Sequence, residues 1–188
     1  MKKECVYIIA SKDVADQAHD LFIKLACTEV VVKFDLVFVN NLNWVEKHYG
    51  KGDSIDISGA DVGNMIATLV GDVKHRGILV TGSGGGANIR ANAYANVRAY
   101  GADSEAHAVD LREKALINTL IWNANFTELS DFIKRAIAFL KAEPSEERKA
   151  MIADKNSRRV NLFEKLYGQD DFFPKVRSEW KKSHLSRR

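Results

Sequence analysis

Residues 78–89 read ILVTGSGGGANI, an apolar run that is followed by four glycines in five residues and then by a helix-forming segment. Glycines between a buried strand and a helix let backbone N–H groups converge on an anion, and the helix N-terminus favours negative charge. Ligands of α/β sheets bind at the carboxyl ends of strands. The stretch therefore predicts a site for a phosphate or a developing oxyanion. Its residues are Gly82, Ser83, Gly84, Gly85 and Gly86.

The same loop also fits a nucleotide-binding pattern. Residues 82–87 satisfy G-x-G-x-x-A, and Asp103 lies about 20 residues further on, where an acid that binds a ribose belongs. The short intervening helix and the position of the loop in the middle of the chain weigh against this interpretation. A Walker A site is excluded because no Gly-Lys-Ser/Thr follows. An NAD(P)-binding protein remains an alternative.

Outward from the loop, predicted strands alternate with predicted helices. The predicted strands are 6–10, 30–32 leading on to 36–39, 77–81, 97–99 and 119–121, and the predicted helices are 15–25, 61–75, 88–94, 104–115 and 128–140. This order predicts an α/β fold, a Rossmann-like doubly wound and mostly parallel sheet with helices on both faces. Thr127 is the predicted N-cap of the helix 128–140, and Pro144 separates that helix from a last one beginning near Ser145.

Length and composition predict one domain with an extension. A chain of 188 residues with 46% hydrophobic content can bury a core without disulfides or metals. We expect a domain over residues 1–142 and, over residues 143–188, a helix and an aromatic, basic tail that packs on a neighbouring subunit. Neither cysteine nor any histidine shows metal-ligand spacing, so we expect no metal.

Hydropathy and charge predict the cellular location of the protein and the partners that it lacks. The run 6–10 is too short for a signal sequence or a membrane span, which favours the cytoplasm and no membrane partner. Residues 175–188 hold six basic residues and one acid, so the charge of this tail is +5. Since the net charge of the chain is +3, the remaining residues sum to −2. Because the body is not basic, we expect no nucleic-acid partner.

The segments around the glycine loop carry a family signature. Residues 76–86 read RGILVTGSGGG, and Ala91-Asn92 and VRA at 97–99 follow. In order and spacing these segments resemble the ribose-5-phosphate isomerase B / LacA / LacB family. The resemblance implies aldose–ketose isomerisation of a phosphorylated sugar, of the ribose 5-phosphate or galactose 6-phosphate type. It also implies no cofactor, and either a homo-oligomer (dimer or tetramer) or a paralogous partner subunit.

The resemblance also implies roles for single residues. Asp13 falls where family members carry an aspartate that contacts the sugar. Lys155 and Arg159 match basic residues that reach the substrate phosphate in a neighbouring subunit. Asn125 stands in the place of a phosphate-binding arginine, and Lys114 in the place of the histidine that assists ring opening.

The chain departs from the family at the proton-transfer positions. The usual base is a cysteine just before the first loop glycine or a glutamate just after the loop. Thr81 and Ala87 occupy those places, and neither is a competent base at neutral pH. A partner chain could supply the base; the enzyme could use Asp13, Asp103, His107 or Lys114 for another sugar phosphate; or catalysis could be lost, leaving a catalytically silent binding subunit.

The sequence thus predicts a complete set of site residues. The candidate catalytic residues are Thr81, Ser83 and Lys114. The candidate substrate contacts are Asp13, the loop 82–86 and Asn125, and the candidate phosphate contacts are Lys155 and Arg159. Ser83 and the loop N–H groups are expected to stabilise an oxyanion.

Overall fold

The computed structural model describes most of the first 151 residues. The described residues are 3–39, 63, 65, 66, 69, 70, 75–94, 97–151 and 154. The chain divides into two compact units, Met1–Ala150 and Met151–Arg188, and the sheet with its helices belongs to the first. The aromatic, basic tail lies outside the described residues, so the predicted boundary after residue 142 and the packing of the tail on another subunit stay predictions.

Runs of aliphatic residues form a sheet whose five strands all run parallel. The strands are β1 Glu4–Ala10, β2 Phe34–Phe38, β3 Arg76–Thr81, β4 Ala99–Gly101 and β5 Thr119–Asn123. Their order across the sheet is β2-β1-β3-β5-β4. The central strand β3 is buried along its whole length, as expected when both faces of a parallel sheet are covered.

Helices cover both faces of this sheet. The helices are α1 Ala15–Ala26, α2 Val30–Lys33, α3 Gly85–Asn92, α4 Glu105–Glu113 and α5 Leu129–Lys141, and a 3-10 turn spans Lys12–Val14. One core cluster packs α1, α4 and α5 on strand residues such as Ile8 and Ile78. The other packs α3 and the helical residues 65, 66 and 70 on residues such as Ile9 and Leu79. The predicted doubly wound α/β fold is confirmed.

The strand predicted at 30–32 is wrong, because Val30–Lys33 forms one helical turn, α2. The Thr28 hydroxyl donates to the Leu25 carbonyl and accepts from the Val30 N–H, which turns the chain into helix. Only Val30 of the three valines is buried, and Val32 is 77% exposed. β-Branched residues favour strands only where a pleated surface packs them, and here the strand starts at Phe34.

Smaller differences concern where elements begin. The helix predicted from residue 88 starts at Gly85, because Gly84 has a φ of 75° and leads straight into α3. The strand predicted at 97–99 lies at Ala99–Gly101. Glu128, and not Thr127, precedes α5, since the Thr127 carbonyl accepts the indole N–H of Trp122. The next helical turn begins after Ser145, near the predicted start, and the Ser145 hydroxyl accepts from the Arg148 N–H.

A buried arginine joins the start of β3 to the end of α5. Arg76 is 1% exposed, and its Nη1 donates to the Leu140 carbonyl at 2.7 Å. Its Nη2 lies 2.5 Å from Glu143 Oε1, and its guanidinium lies 4.7 Å from the centroid of the Phe34 ring. Arg76 therefore satisfies a carbonyl that the helix end leaves without an intrahelical partner.

Glu143 neutralises this buried charge, and we predict that the stabilisation depends on pH. Burial raises the pKa of Glu143, but the hydrogen bond from Lys33 and the charge and hydrogen bond of Arg76 outweigh it, so the pKa lies below its ordinary value of 4.5. A carboxyl whose pKa is lowered by folding stabilises the fold above its unfolded pKa, and this stabilisation is lost as pH falls through the folded pKa.

Glu143→Gln should therefore lower stability at pH 7 by about 1–2 kcal/mol, a value discounted for the partial exposure of the side chain. The difference between wild type and variant should shrink as pH falls below the ordinary carboxyl pKa. Thermal unfolding between pH 7 and pH 3 measures it, with the exposed Glu146→Gln as control. A difference that is the same at every pH would contradict the assignment.

Candidate functional site

The carboxyl ends of β1, β3 and β5 lie side by side at one edge of the sheet. β3 pairs with β1 on one side and β5 on the other. The helix after β1 covers one face and the helix after β3 covers the other. Chains that leave adjacent strand ends toward opposite faces open a crevice between them, and such switch points are where α/β proteins bind ligands.

Backbone hydrogen bonds fix the loops at this edge to one another. The Ser11 N–H donates to the Val80 carbonyl at 3.1 Å, which holds the β1 loop to β3. The Ala124 N–H donates to the Thr81 carbonyl at 2.9 Å and the Asn125 N–H to the Gly82 carbonyl at 3.3 Å, which hold the β5 loop to the glycine loop. The three loops are therefore positioned by the sheet itself.

Asp13 and Asn125 meet at Gly82. A Cβ atom placed on Gly82 would lie 3.0 Å from Asp13 Oδ2 and 2.9 Å from Asn125 Nδ2. Both distances are shorter than ordinary van der Waals contacts, so the ends of the two side chains lie against the Gly82 backbone and would have to shift to admit a larger residue. The structure thus brings together three residues that the sequence predicts as substrate contacts, and Asp13 and Asn125 are both exposed to solvent.

The rest of the loop shapes the N-terminus of α3. Gly84 has a φ of 75°, and a Cβ placed there would lie 1.8 Å from Asn123 Oδ1, so both the backbone and the packing require glycine. Gly85 and Gly86 begin the helix with open space beside their Cα atoms. The first N–H groups of a helix have no partner within it, and Ser83 stands exposed beside them. This arrangement can bind an anion.

Two buried polar atoms border the loop without a partner. Thr81 Oγ1 and Asn123 Oδ1 have no hydrogen-bond partner among the described residues, and such atoms cost about 1–3 kcal/mol each when left unpaired. Three others, Arg76 Nε, Arg112 Nε and Thr119 Oγ1, share this property but lie away from the carboxyl edge. Location at the glycine loop is what gives Thr81 and Asn123 functional interest.

The sequence analysis missed Asn123. Its signal was a polar residue at the end of the apolar run that forms β5, because that end of a parallel strand faces the ligand edge. Which of the polar residues 123, 125 and 127 approaches the glycine loop depends on the register between β3 and β5, and that register pairs Thr81 with Asn123.

Lys114 lies at the opposite edge of the sheet. It follows α4, which returns from the carboxyl edge to the start of β5, where the Gly77 N–H donates to the Asn118 carbonyl. Its Nζ lies 2.9 Å from an Asp110 carboxylate oxygen. Within one chain Lys114 is therefore remote from the glycine loop, and a catalytic role would need a second copy of the chain.

Asp103 follows β4, which β5 separates from β3. Its carboxylate lies 3.4 Å from His107 Nδ1, and Ser104 is the residue that caps α4, accepting from the His107 N–H at 3.1 Å. In a dinucleotide fold the ribose-binding acid follows the strand next to the glycine-loop strand. The geometry therefore favours the anion-site interpretation over the dinucleotide interpretation.

Other expectations concern residues outside the described ranges, metal ions and membranes. Lys155 and Arg159 lie outside the described residues, so their role stays a prediction. Over the described ranges, no group of three His, Cys, Asp or Glu side chains could hold a metal ion. Of the helices in those ranges, none is long and apolar enough to cross a membrane.

Solved structures with the same fold are ribose 5-phosphate isomerases of type B. A mutant from Trypanosoma cruzi superimposes with a TM-score of 0.67 at 19% identity, covering 86% of this chain and 99% of its own. The Mycoplasma genitalium protein with bound ribulose-5-phosphate gives 0.65 at 21%, covering 85% and 99%. The Clostridium thermocellum protein gives 0.64 at 18%, covering 84% and 99%. These superpositions establish the fold.

The family follows from the sequence itself. No curated protein sequence matches the chain. The profile of the ribose/galactose isomerase family (LacAB_rpiB) matches residues 32–155, a span that contains the glycine loop and Asn125 and exceeds half of the chain. The chain belongs to the ribose/galactose isomerase family.

Proposed function

We propose that this chain isomerises a phosphorylated sugar between its aldose and ketose forms without a cofactor. The observation that carries the proposal is the convergence of Asp13 and Asn125 on Gly82, beside the N-terminus of α3. Membership of the ribose/galactose isomerase family supports the reaction class. A bound ribulose-5-phosphate in the Mycoplasma genitalium relative supports the substrate class.

Asp13 is the group we assign to proton transfer between the two carbons. A carboxylate acts as a base when it lies within hydrogen-bond reach of the proton that it takes. Asp13 is beside the loop, whereas Lys114 lies at the far edge and Asp103 two strands away. Asp13 would take the proton from C2 of the aldose, and the electrons of that C–H bond would form the C1–C2 double bond of an enediolate.

The loop stabilises the charge that this step creates. As C1 and C2 become doubly bonded, O1 gains negative charge, which the N–H groups of the loop and the Ser83 hydroxyl can accept as donors. Return of the proton from Asp13 to C1, with transfer of the O2 proton to O1, leaves the ketone at C2. The Thr81 hydroxyl both donates and accepts, so we assign it to the transfer between O2 and O1.

The phosphate contacts and the assembly are further parts of the proposal. Lys155 and Arg159 would hold the phosphate from a neighbouring copy, because a guanidinium and an ammonium match phosphate oxygens well. In such an assembly Lys114 of one copy could approach the loop of another. A homo-oligomer or a paralogous partner, and a cytoplasmic location, stay predictions.

A sugar-phosphate-binding subunit without turnover is the second candidate. It is favoured by one observation, namely that Thr81 stands just before the first loop glycine, where its hydroxyl is no base at neutral pH. The two candidates differ in one measurement. Purified chain that binds ribose 5-phosphate or galactose 6-phosphate but forms no ketose would identify the silent subunit.

Replacing the carboxylate of Asp13 tests the proton-transfer assignment. We predict that Asp13→Asn lowers turnover of the sugar phosphate by about 10²-fold or more, since this is the usual contribution of a positioned base. The melting temperature should stay within the range of wild type because Asp13 is exposed. Asp20→Asn, an exposed carboxylate on α1, is the matched control. Wild-type turnover in Asp13→Asn would refute the assignment.

Thr81→Val tests the hydroxyl without changing the shape of the side chain. Because Thr81 Oγ1 is buried without a partner in the described structure, its removal should leave stability unchanged or raise it. Turnover should fall by about 10²-fold if the hydroxyl contacts the reacting oxygens. Calorimetry and a ketose-formation assay on the same preparation measure both. Loss of stability with unchanged turnover would assign Thr81 to the fold alone.

Alanine substitutions at two glycines of the loop should change the stability of the protein in opposite directions. Gly84→Ala should destabilise the protein by about 1–3 kcal/mol, because alanine is strained at a φ of 75°. Gly86→Ala should stabilise α3 by about 0.5–1 kcal/mol, as alanine does within helices, yet weaken sugar-phosphate binding by placing a methyl group at the anion site. Thermal unfolding and calorimetric titration compare them. Binding by Gly86→Ala as tight as that of wild type would place the sugar phosphate away from the loop.

A further inference from the structure

A cavity opens at the carboxyl ends of β4 and β5, next to the glycine loop. Its volume is about 260 Å³. The lining residues that carry polar side chains are Asn88, Tyr100, Asp103, Asn123, Thr127 and Arg135. Asp13, Gly82, Ser83 and Asn125 are not among its lining residues. The cavity is therefore a neighbour of the proposed isomerase site and not a part of it.

The rim of this cavity offers a hydrogen-bond acceptor. The Asp103 carboxylate lines the cavity, is 93% exposed and lies 3.4 Å from His107 Nδ1. Asn123 also lines the cavity, but its Oδ1 is buried beneath Gly84, so Asp103 is the acceptor that a ligand can reach. A carboxylate accepts hydrogen bonds, and it therefore favours a ligand that donates.

Arg135 offers a donor at the same cavity. Arg135 Nη1 donates to the Ala102 carbonyl at 2.8 Å, which fixes the guanidinium against the end of β4, and a guanidinium has five donors in all. One acid and one base line the cavity, so its formal charge is balanced. A lining without net charge favours an uncharged ligand. A hydroxyl group fits because it can donate to the Asp103 carboxylate and accept from the Arg135 guanidinium.

Aromatic rings also line the cavity. Tyr100 stands half-exposed at the rim, next to His107, with ring centroids 6.2 Å apart. Trp122 and Phe132 stack at the floor with centroids 5.1 Å apart. A ligand ring with an apolar C–H face and polar hydroxyls matches a lining of this composition. The volume lies just below the about 300–1,000 Å³ of sites for drug-sized ligands, so it suits one ring system and not a dinucleotide.

We propose that this cavity binds a ring with two adjacent hydroxyl groups, such as a ribose, with Asp103 accepting from the hydroxyl pair and Arg135 as a donor. A carboxylate that follows a strand is suited to such a pair because it accepts two hydrogen bonds at once. A free sugar and a nucleoside present the same ring, so the recognising chemistry is the same for both. The site is independent of whether the chain isomerises sugar phosphates.

Titration calorimetry on the full chain tests this site with D-ribose, adenosine and their 2-deoxy and 2′-deoxy analogues. The ribose-bearing probes should bind, and the deoxy analogues should bind at least about fivefold more weakly, because one of the two hydroxyls is missing. Binding of both D-ribose and adenosine would show that a free sugar is sufficient for recognition. Binding of adenosine alone would identify a nucleoside site. Both outcomes support the proposal, whereas equal affinity for the deoxy analogues would overturn it.

Variants separate this site from the glycine loop. Asp103→Ala should weaken ribose or adenosine binding at least about fivefold without loss of stability, since the side chain is exposed. Glu113→Ala, an exposed acid at the other end of α4, is the matched control. Asp13→Asn should leave this binding unchanged even if it abolishes isomerisation. Absence of binding by both probes, or binding that responds to Asp13→Asn and not to Asp103→Ala, would show that the proposal is wrong.

Discussion

The first unit depends most on the hydrogen bonds and the ion pair of the buried Arg76 guanidinium. It stands at the start of the central strand β3, and its bonds to the last carbonyls of α5 and to Glu143 hold that helix to the sheet. A buried charge is tolerated only with such partners. Burial, and then the nearby charge of Arg76, lower the pKa of Arg112 to about 10. The two arginines therefore make the contact between β3 and α5 sensitive to loss of the Glu143 carboxylate.

The opposite end of the same strand is organised by close backbone approach and not by charge. Gly82 and Gly84 let the side chains of Asp13, Asn123 and Asn125 come against the loop, and backbone hydrogen bonds hold the neighbouring loops in place. Rigid strands thus present polar groups at fixed positions, while Thr81 Oγ1 and Asn123 Oδ1 lack a partner in the described fold. Local departures from complete hydrogen bonding are expected at functional sites.

The carboxyl edge holds two different chemical surroundings. Around Gly82 there is a carboxylate, a carboxamide and a helix N-terminus, which suits an anion and a proton transfer. Around Asn123 and Asp103 there is a cavity with balanced charge and aromatic walls, which suits an uncharged hydroxylated ring. Asn123 borders both, because its carboxamide packs under Gly84 and its side chain lines the cavity.

The sequence by itself determined the alternation of strands and helices, the doubly wound sheet and the glycine loop, because apolar periodicity and glycine clusters act over short distances along the chain. It misplaced residues 30–32, since a β-branched run becomes a strand only where a sheet surface receives it. Tertiary structure alone decided that Asp13 and Asn125 meet at Gly82, that Lys114 lies at the far edge and that Asn123 joins the site. Those relations depend on strand order and register, which bring together residues far apart in the chain.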